Sequence, residues 1–153
     1  MATETIHASA VIDAKPAVIY EAFLDGDEHT AMTGGGATST PRVGTRFTAW
    51  DGYITGKHVE LQPGRRIVQD WRTTQFPASA RDSRVIILLD AAGGRTCVTF
   101  VHTEIPQGQG ASYESGWEKH YFAPMRLYFA TAKKKRVSPA KKTAAKKTAA
   151  KKK

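Results

Sequence analysis

The feature of this sequence that most constrains its fold is a succession of five short β-type runs between residues 45 and 104. The turns between them carry the dipeptides Asp51-Gly52, Pro63-Gly64 and Gly93-Gly94. Such dipeptides between apolar runs are typical of tight turns and hairpins. The pattern therefore predicts an antiparallel meander with strands at residues 45–50, 53–61, 67–72, 84–90 and 96–104.

One strand and two helical segments are predicted before the meander. Residues 5–14 alternate loosely between apolar and polar side chains, which indicates a first strand. Pro16 suits the first turn of a helix, which ends at Gly26, and apolar residues lie at helical spacing between them. The next stretch, DEHTAMTGGG, predicts a short second helix or turn that closes in three glycines. Its TGGGAT segment lacks the lysine of a phosphate-binding loop.

A long amphipathic helix is predicted after the last strand. Trp117, Tyr121, Met125 and Tyr128 recur at steps of four and three residues, and neighbouring phenylalanines widen the stripe. Pro124 lies inside this pattern and removes one backbone donor, so we expect a bend there. The predicted fold class is therefore α+β, an antiparallel sheet wrapped around a long C-terminal helix, with space for a cavity between them.

This β-αα-βββββ-α order resembles the helix-grip fold of the START/Bet v 1-like (SRPBCC) superfamily. Three segments, AKPAVIYEAFLD, GTRFTAWDGYITGKHVELQPGRRIVQDWR and GWEKHYFAPMRLYF, are similar to the C-terminal domain of activators of the heat-shock protein 90 ATPase. Together they cover most of residues 5–130, and the hairpin segment is the most specific. The resemblance implies a domain that binds a chaperone or a small apolar ligand, or that performs lyase or cyclase chemistry as distant relatives do.

Charge divides the chain into two parts. The whole chain has a net charge of +9, from 23 basic and 14 acidic residues. Residues 133–153 hold ten lysines, one arginine and no acidic residue, so the preceding 132 residues carry a net charge of −2. All 14 aromatic residues lie before residue 133. We therefore predict a folded domain at residues 1–132 and a basic tail at residues 133–153.

The tail repeats the pentapeptide AKKTA at residues 140–144 and 145–149 and contains no Leu, Ile, Phe or Trp. It cannot form a core, so we predict that it is disordered in isolation. Its composition resembles the tails of linker histones, and its charge predicts sequence-independent contact with nucleic-acid phosphates. A purely solubilising tail is the alternative. The residues predicted to contact nucleic acid are Lys133, Lys134, Lys135, Arg136, Lys141, Lys142, Lys146, Lys147, Lys151, Lys152 and Lys153.

Several aromatic side chains of the domain are candidates for the lining of a cavity between sheet and helix. Most aromatic residues in such a fold pack the core, but a minority are expected to face a ligand, with the polar atoms of Tyr and Trp orienting it. The predicted lining residues are Trp50, Tyr53, Trp71, Trp117, Tyr121 and Met125.

Enzymatic chemistry depends on the histidines. If His102 and His120 both point inward, they can meet across the cavity and act with Glu104 or Asp70 as acid–base partners. The simpler interpretation is that one histidine is a hydrogen-bonded core residue and the others lie at the surface. No histidine pair has a metal-ligand spacing, and the single cysteine, Cys97, excludes a multi-cysteine metal site. We predict neither a metal nor a cofactor.

The N-terminus lacks a basic segment followed by a long apolar run, and no window has the length and hydropathy of a membrane span. We therefore predict a cytoplasmic protein, associated with the nucleoid if its tail binds DNA. The predicted function is a non-enzymatic domain that binds a small apolar ligand or a protein partner, a chaperone among the candidates. The alternatives are a cyclase- or hydrolase-type enzyme that uses the cavity histidines and a nucleoid-associated protein that acts through its tail.

Overall fold

The structure is a computed structural model that describes the backbone of residues 3–137 and the side chains of residues 3–131. It confirms the predicted order of one strand, two helices, five strands and a long helical segment. The elements are β1 (Thr3–Ile12), α1 (Pro16–Leu24), α2 (Gly26–Thr33), β2 (Arg46–Ala49), β3 (Ile54–Gln62), β4 (Arg66–Thr73), β5 (Ser83–Ala92), β6 (Arg95–Pro106), α3 (Gly110–Trp117), a π-helical turn (Glu118–Phe122) and α4 (Ala123–Val137).

The six strands form one antiparallel sheet in the order β1-β6-β5-β4-β3-β2. Alternate residues of the central strands point to one face, where Ile87 of β5 lies opposite Phe100 of β6. Both are buried in the main core, together with Phe122 and Phe129 of the helical segment. Burial of a side chain of this size stabilises the fold by about 1.5–3 kcal/mol. The fold is therefore the α+β, helix-grip arrangement expected from the sequence.

The β2–β3 hairpin differs from the prediction by one residue. Strand β2 ends at Ala49, and Trp50 enters the turn instead of extending the strand. Trp50 and Asp51 have left-handed φ angles of 53° and 59°, and the Gly52 N–H donates to the Ala49 carbonyl at 3.2 Å. Positive φ at both central residues is the geometry of a hairpin turn that matches the twist of its strands. The turn therefore removes Trp50 from the alternation of the sheet.

The long helical segment contains a π-helical turn directly before Pro124, the residue at which the sequence predicts a bend. The Ala123 N–H bonds to the Glu118 carbonyl, a separation of five residues, and Pro124 follows immediately as the second residue of α4. In a regular helix the proline ring would collide with the carbonyl four residues earlier. A π turn widens the helix at this point and accommodates the ring, so the segment continues past Pro124.

A carboxylate from the first strand holds the start of α3. Glu4 accepts hydrogen bonds from the Gly110 N–H at 2.7 Å and from the Gly108 N–H at 3.0 Å. The hydrogen bond from Gly108 has the larger effect on the Glu4 carboxyl and that from Gly110 the smaller, and both lower its pKa. A Cβ atom on Gly110 would collide with the Glu4 carboxylate, so a larger residue here would displace Glu4 from its present position. The contact fixes where α3 begins above the sheet, and α3 forms one wall of the candidate site.

The predicted boundary between residues 132 and 133 falls inside α4, whose backbone is helical as far as Val137. The first four predicted nucleic-acid contacts, residues 133–136, therefore lie on the last turns of this helix. The other seven lie outside the described residues, so the division into domain and tail stays a prediction. Among residues 3–137, no helix combines the length and the hydropathy needed to cross a bilayer.

Candidate functional site

A cavity of about 540 Å³ opens between the β2–β3 turn, strand β4 and the segment formed by α3 and the π turn. This volume lies within the range of about 300–1,000 Å³ that is usual for small-molecule sites. Five of the six predicted lining residues line it. The lining residues are Trp50, Tyr53, Ile54, Trp71, Ser112, Tyr113, Ser115, Gly116, Trp117, Lys119, His120 and Tyr121.

Met125 is the predicted lining residue that the structure places elsewhere. Its side chain is fully buried in the main core. The cavity lies beside α3 and the π turn, whereas Met125 lies in α4, which packs against α2 and β1. The four-residue repeat that continues from Tyr121 to Met125 thus leads from the cavity wall into the core.

The inner wall of the cavity is a cluster of aromatic rings around Trp71. Trp71 lies 5.1 Å from Tyr113 in an edge-to-face arrangement and 5.4 Å from Trp117, measured between ring centroids. Trp117 in turn lies 5.2 Å from Tyr121 and 4.5 Å from the core residue Phe100. Edge-to-face and tilted pairs of this kind contribute about 0.5–1.5 kcal/mol beyond the area that they bury. The wall is therefore closely packed and largely apolar.

The polar atoms of three wall residues bond to the protein. The Tyr121 hydroxyl donates to Nε2 of His29 at 2.8 Å, and Nε1 of Trp117 donates to Nδ1 of His102 at 3.2 Å. The Tyr113 hydroxyl donates to Gln109 Oε1 at 2.6 Å. The polar atoms of Trp117 and Tyr121 were expected to orient a ligand, but the structure places them in internal hydrogen bonds. The wall therefore presents mainly carbon to the cavity.

His102 is a buried core residue with both ring nitrogens engaged. Its side chain is fully buried, Nδ1 accepts from Trp117, and Nε2 lies 2.9 Å from Ser83 Oγ. Because Nδ1 accepts, the proton is on Nε2, which donates to Ser83, and Ser83 donates to the Trp71 carbonyl at 2.7 Å. Burial lowers the pKa of His102 to about 3. The ring is thus neutral and has no free lone pair with which to accept a proton.

The other candidate histidine lies apart from His102. His120 is exposed and lines the cavity, where its ring lies 5.3 Å from that of Trp50. Asp70 lies outside the cavity lining, and its carboxylate pairs with Arg84 at 2.9 Å. Neither Asp70 nor Glu104 lines the cavity. The structure therefore does not bring the four proposed acid–base residues together.

Two further histidines, His29 and His58, are also buried and uncharged. His29 donates from Nδ1 to the Phe23 carbonyl at 3.0 Å while its Nε2 accepts from Tyr121. Nε2 of His58 lies 2.9 Å from Ser39 Oγ, and the His58 ring stacks on that of Phe47. Burial lowers the pKa of His29, and it lowers that of His58 to about 4. All three buried histidines therefore support the core and the wall as uncharged groups.

Trp50 occupies the rim of the cavity at an energetic cost. Its left-handed backbone costs about 1–2 kcal/mol for a residue other than glycine. Its Nε1 is buried and has no hydrogen-bond partner among the described residues, which costs about 1–3 kcal/mol more. Costs of this kind persist where the surrounding structure enforces them, and they concentrate at functional sites. Trp50 is therefore the lining residue with the clearest sign of a role beyond packing.

The loop of three glycines at residues 34–36 holds this rim. A Cβ atom on Gly35 would collide with the ring of Trp50. The Asp51 N–H donates to the Gly36 carbonyl at 2.8 Å, and the Gly36 N–H donates to Asp51 Oδ1 at 3.1 Å. The glycine run was a visible signal, but only the fold shows that it lies against the β2–β3 turn.

The outer edge of the cavity is polar and was not predicted. Ser112, Ser115, Gly116 and Lys119 lie at helical spacing along α3 and the π turn and line the cavity together. Their spacing is visible in the sequence, but polar residues at such spacing are typical of any solvent-facing helix. Within the described part of the chain, no group of three or more His, Cys, Asp or Glu side chains is placed to hold a metal ion.

Comparison with known proteins places the fold in a family. A family model described as Activator of Hsp90 ATPase homolog 1-like protein matches residues 13–130. An activator of 90 kDa heat shock protein ATPase homolog from Dictyostelium discoideum is 27% identical over 86% of this chain and 34% of its own length. A homolog 1 from Homo sapiens is 25% identical over 74% of this chain and 33% of its own length. The chain thus spans about a third of these curated relatives.

Solved structures confirm the fold. An HSP90 activator from Plasmodium falciparum superimposes with a TM-score of 0.76 at 20% identity, covering 82% of this chain and 96% of the other. The solution structure of an Aha1 dimer from Colwellia psychrerythraea superimposes with a TM-score of 0.65 at 18% identity, covering 85% and 93%. Both likenesses establish the architecture of the domain.

The buried histidines predict that the domain loses stability in mild acid. The unfolded chain protonates these residues near pH 6.5, whereas their pKa values in the folded state are lower, so unfolding takes up protons. The free energy of unfolding should therefore fall as the pH drops from about 6.5 to about 5, by up to about 1.4 kcal/mol per pH unit for each histidine. Urea denaturation at a series of pH values measures this slope.

The variant His102→Gln tests the assignment, because its amide can still accept from Trp117 and donate to Ser83. The variant should take up about one proton fewer on unfolding, so its stability should fall less steeply with decreasing pH, whatever its absolute stability. The matched control is His7→Gln at an exposed position of β1, which should retain the slope of the wild type. A wild-type stability that is constant between about pH 6.5 and about pH 5 would contradict the assignment of neutral buried histidines.

Proposed function

The chain belongs to the Activator of Hsp90 ATPase homolog 1-like family, and on that premise we propose that it is a non-enzymatic domain that binds a small apolar molecule in its cavity. The observation that carries this proposal is the wall formed by Trp71, Tyr113, Trp117 and Tyr121. Their rings enclose one side of a cavity of about 540 Å³. Burial of a ligand against these rings releases water from apolar surface, which drives binding.

The internal hydrogen bonds of the wall support a binding function over catalysis. A general acid or base needs a titratable atom within hydrogen-bond reach of the reacting group. His102 lies outside the lining residues and has both nitrogens engaged, and no acidic side chain lines the cavity. His120 is the one histidine of the lining, and it has no carboxylate beside it there to orient or charge it.

The variant Gly116→Leu tests the cavity without opening a hole in the core. A Cβ atom at Gly116 would meet only His120, at 3.9 Å, so the position has room for a side chain. Leucine is also favoured over glycine in a helix by about 1 kcal/mol, so the fold should be retained. We expect the affinity for the neutral fluorophore N-phenylnaphthylamine to fall about tenfold or more, because the leucine occupies ligand space. Fluorescence titration of the full chain measures this change.

The matched control is Gly116→Ala, which gains helix propensity but adds only a methyl group. It should bind the fluorophore nearly as well as the wild type. Two results would refute the proposal: a wild-type chain that does not bind the fluorophore, or equal binding by wild type and Gly116→Leu.

A second candidate function is contact with a chaperone. The relatives from Dictyostelium discoideum and Homo sapiens are named as activators of the 90 kDa heat shock protein ATPase. They match this domain over about a third of their length, so their activity as whole proteins is a hypothesis for this chain. The expected result is a higher rate of ATP hydrolysis by a purified 90 kDa heat-shock protein when the full chain is added.

The cavity variant separates the two candidate functions. If Gly116→Leu stimulates the ATPase as the wild type does, the chaperone contact does not use the cavity. If the wild-type chain leaves the ATPase rate unchanged at saturating concentration, the chaperone proposal fails, while the ligand proposal stands on its own experiment.

We further propose that the basic tail holds the molecule on nucleic acid without reading its sequence, in the cytoplasm and near the nucleoid. If about eight phosphates are contacted, the logarithm of the binding constant should fall with the logarithm of salt concentration at a slope of about −7. Duplex-DNA binding by the full chain over a range of salt concentrations measures this slope.

The test variant replaces Lys141, Lys142, Lys146, Lys147, Lys151, Lys152 and Lys153 with glutamine and keeps the chain length. It should bind weakly and with a shallow salt slope. A control with glutamine at two exposed lysines of the domain, Lys15 and Lys57, should bind DNA as the wild type does. Unchanged binding by the tail variant would refute the proposal.

A further inference from the structure

We propose that the ligand of the cavity is an aromatic anion, a planar ring system that carries one acidic group. The rings of the ligand would lie against the aromatic wall, and its acidic group would lie at the polar edge beside Lys119. This inference rests on the proposed ligand-binding function and goes beyond it, because it specifies the charge of the ligand and the residue that selects it.

The charge distribution around the cavity is the first argument. Lys119 and His120 are the titratable nitrogen groups of the lining, and the twelve lining residues include no Asp or Glu. The neighbouring Glu118 is bound by Arg126 through two hydrogen bonds, at 2.7 and 3.2 Å. Lys119 itself forms no ion pair with any carboxylate of the described residues. Its charge at the cavity is therefore uncompensated.

An uncompensated ammonium beside an apolar wall favours an anion. The low polarity of the wall strengthens the attraction between Lys119 and an acidic group above its value in open water. A cationic ligand would place its charge next to Lys119 and would find no carboxylate among the lining residues. A neutral ligand would leave the interaction with Lys119 unused.

The neighbouring side chains suit an acidic group with several oxygens. Ser112 and Ser115 precede Lys119 by seven and four residues, so their hydroxyls share one side of the helical segment with its ammonium. Neither hydroxyl forms a hydrogen bond with another described residue. Gly116 follows Ser115 on the same helical segment, and even a Cβ atom there would meet only His120. The edge therefore offers hydroxyl donors, a positive charge and open space to one group of atoms.

The aromatic wall favours planar rings over a flexible alkyl chain. Trp71 and Trp117 meet at an interplanar angle of 47°, and Trp50 lies at the rim with its ring edge-to-face on His120. A planar ligand can stack on one of these rings and meet another edge-on, and each such contact adds about 0.5–1.5 kcal/mol to the gain from burial. A flexible chain would gain burial alone and would lose conformational freedom when bound.

Two fluorophores test the proposal because they differ by one acidic group. Anilinonaphthalene sulfonate and N-phenylnaphthylamine share the same ring system, and only the first carries a sulfonate. We expect the wild-type chain to bind the sulfonate more tightly, and added salt to weaken that preference by screening the charge. Lys119→Gln should weaken binding of the sulfonate about three- to fivefold, the effect of one exposed ion pair, and leave N-phenylnaphthylamine unchanged.

Two controls restrict the result to the cavity. Lys57→Gln removes one exposed positive charge from β3, outside the lining residues, and should bind both probes as the wild type does. The basic tail also attracts the sulfonate, but Gly116→Leu keeps the tail, so only sulfonate binding that Gly116→Leu abolishes is counted.

The outcomes separate this inference from the proposed function. Equal affinity for the two probes, or a Lys119→Gln variant with unchanged sulfonate binding, overturns the inference and leaves the cavity as a binding site for neutral ligands. Absence of binding of N-phenylnaphthylamine, or binding that Gly116→Leu does not affect, overturns the proposed function itself.

Discussion

The packing of the helical segment onto Phe100 is the interaction on which the rest of the structure depends. Phe100 is fully buried in β6, and its ring meets Trp117 at 4.5 Å and Phe122 at 5.1 Å. Phe122 completes the core, whereas Trp117 has one edge on Phe100 and also lines the cavity. Loss of this contact would therefore disturb the core and the cavity wall together, because the same rings belong to both.

The neutral histidines explain how a wall rich in Trp and Tyr presents an apolar surface. Each indole N–H or phenol hydroxyl needs a partner when it is buried, and an unpaired one costs about 1–3 kcal/mol. His102 and His29 supply those partners to Trp117 and Tyr121 from behind the wall. A charged histidine would lack an acceptor for Trp117 or Tyr121 to use. Burial, which lowers the pKa of both histidines, keeps them neutral and so preserves these two bonds. Polarity is left to the outer edge, where Lys119 lies.

Much of the fold was predictable because it rests on local signals. Turn dipeptides, strand alternation and the aromatic stripe of the last helix located every element in order, and five of the six predicted lining residues line the cavity. The errors arose where a periodic pattern in the sequence continued although the residue concerned lies in a different part of the structure. Trp50 continued the alternation of β2 but belongs to the turn, and Met125 continued the helical stripe but belongs to the core. The tail beyond Val137 and its predicted contacts are outside the described residues.

The sequence by itself determined the order of the elements, the division of charge between residues 1–132 and residues 133–153, and the presence of an aromatic set large enough to line a cavity. These properties depend on residue type and spacing along the chain. Only the tertiary structure decided that Glu4 binds the start of α3, that Gly35 admits the ring of Trp50, and that His102 lies behind the wall while Lys119 faces the cavity. Each of these depends on which distant segments meet, and no local pattern encodes that.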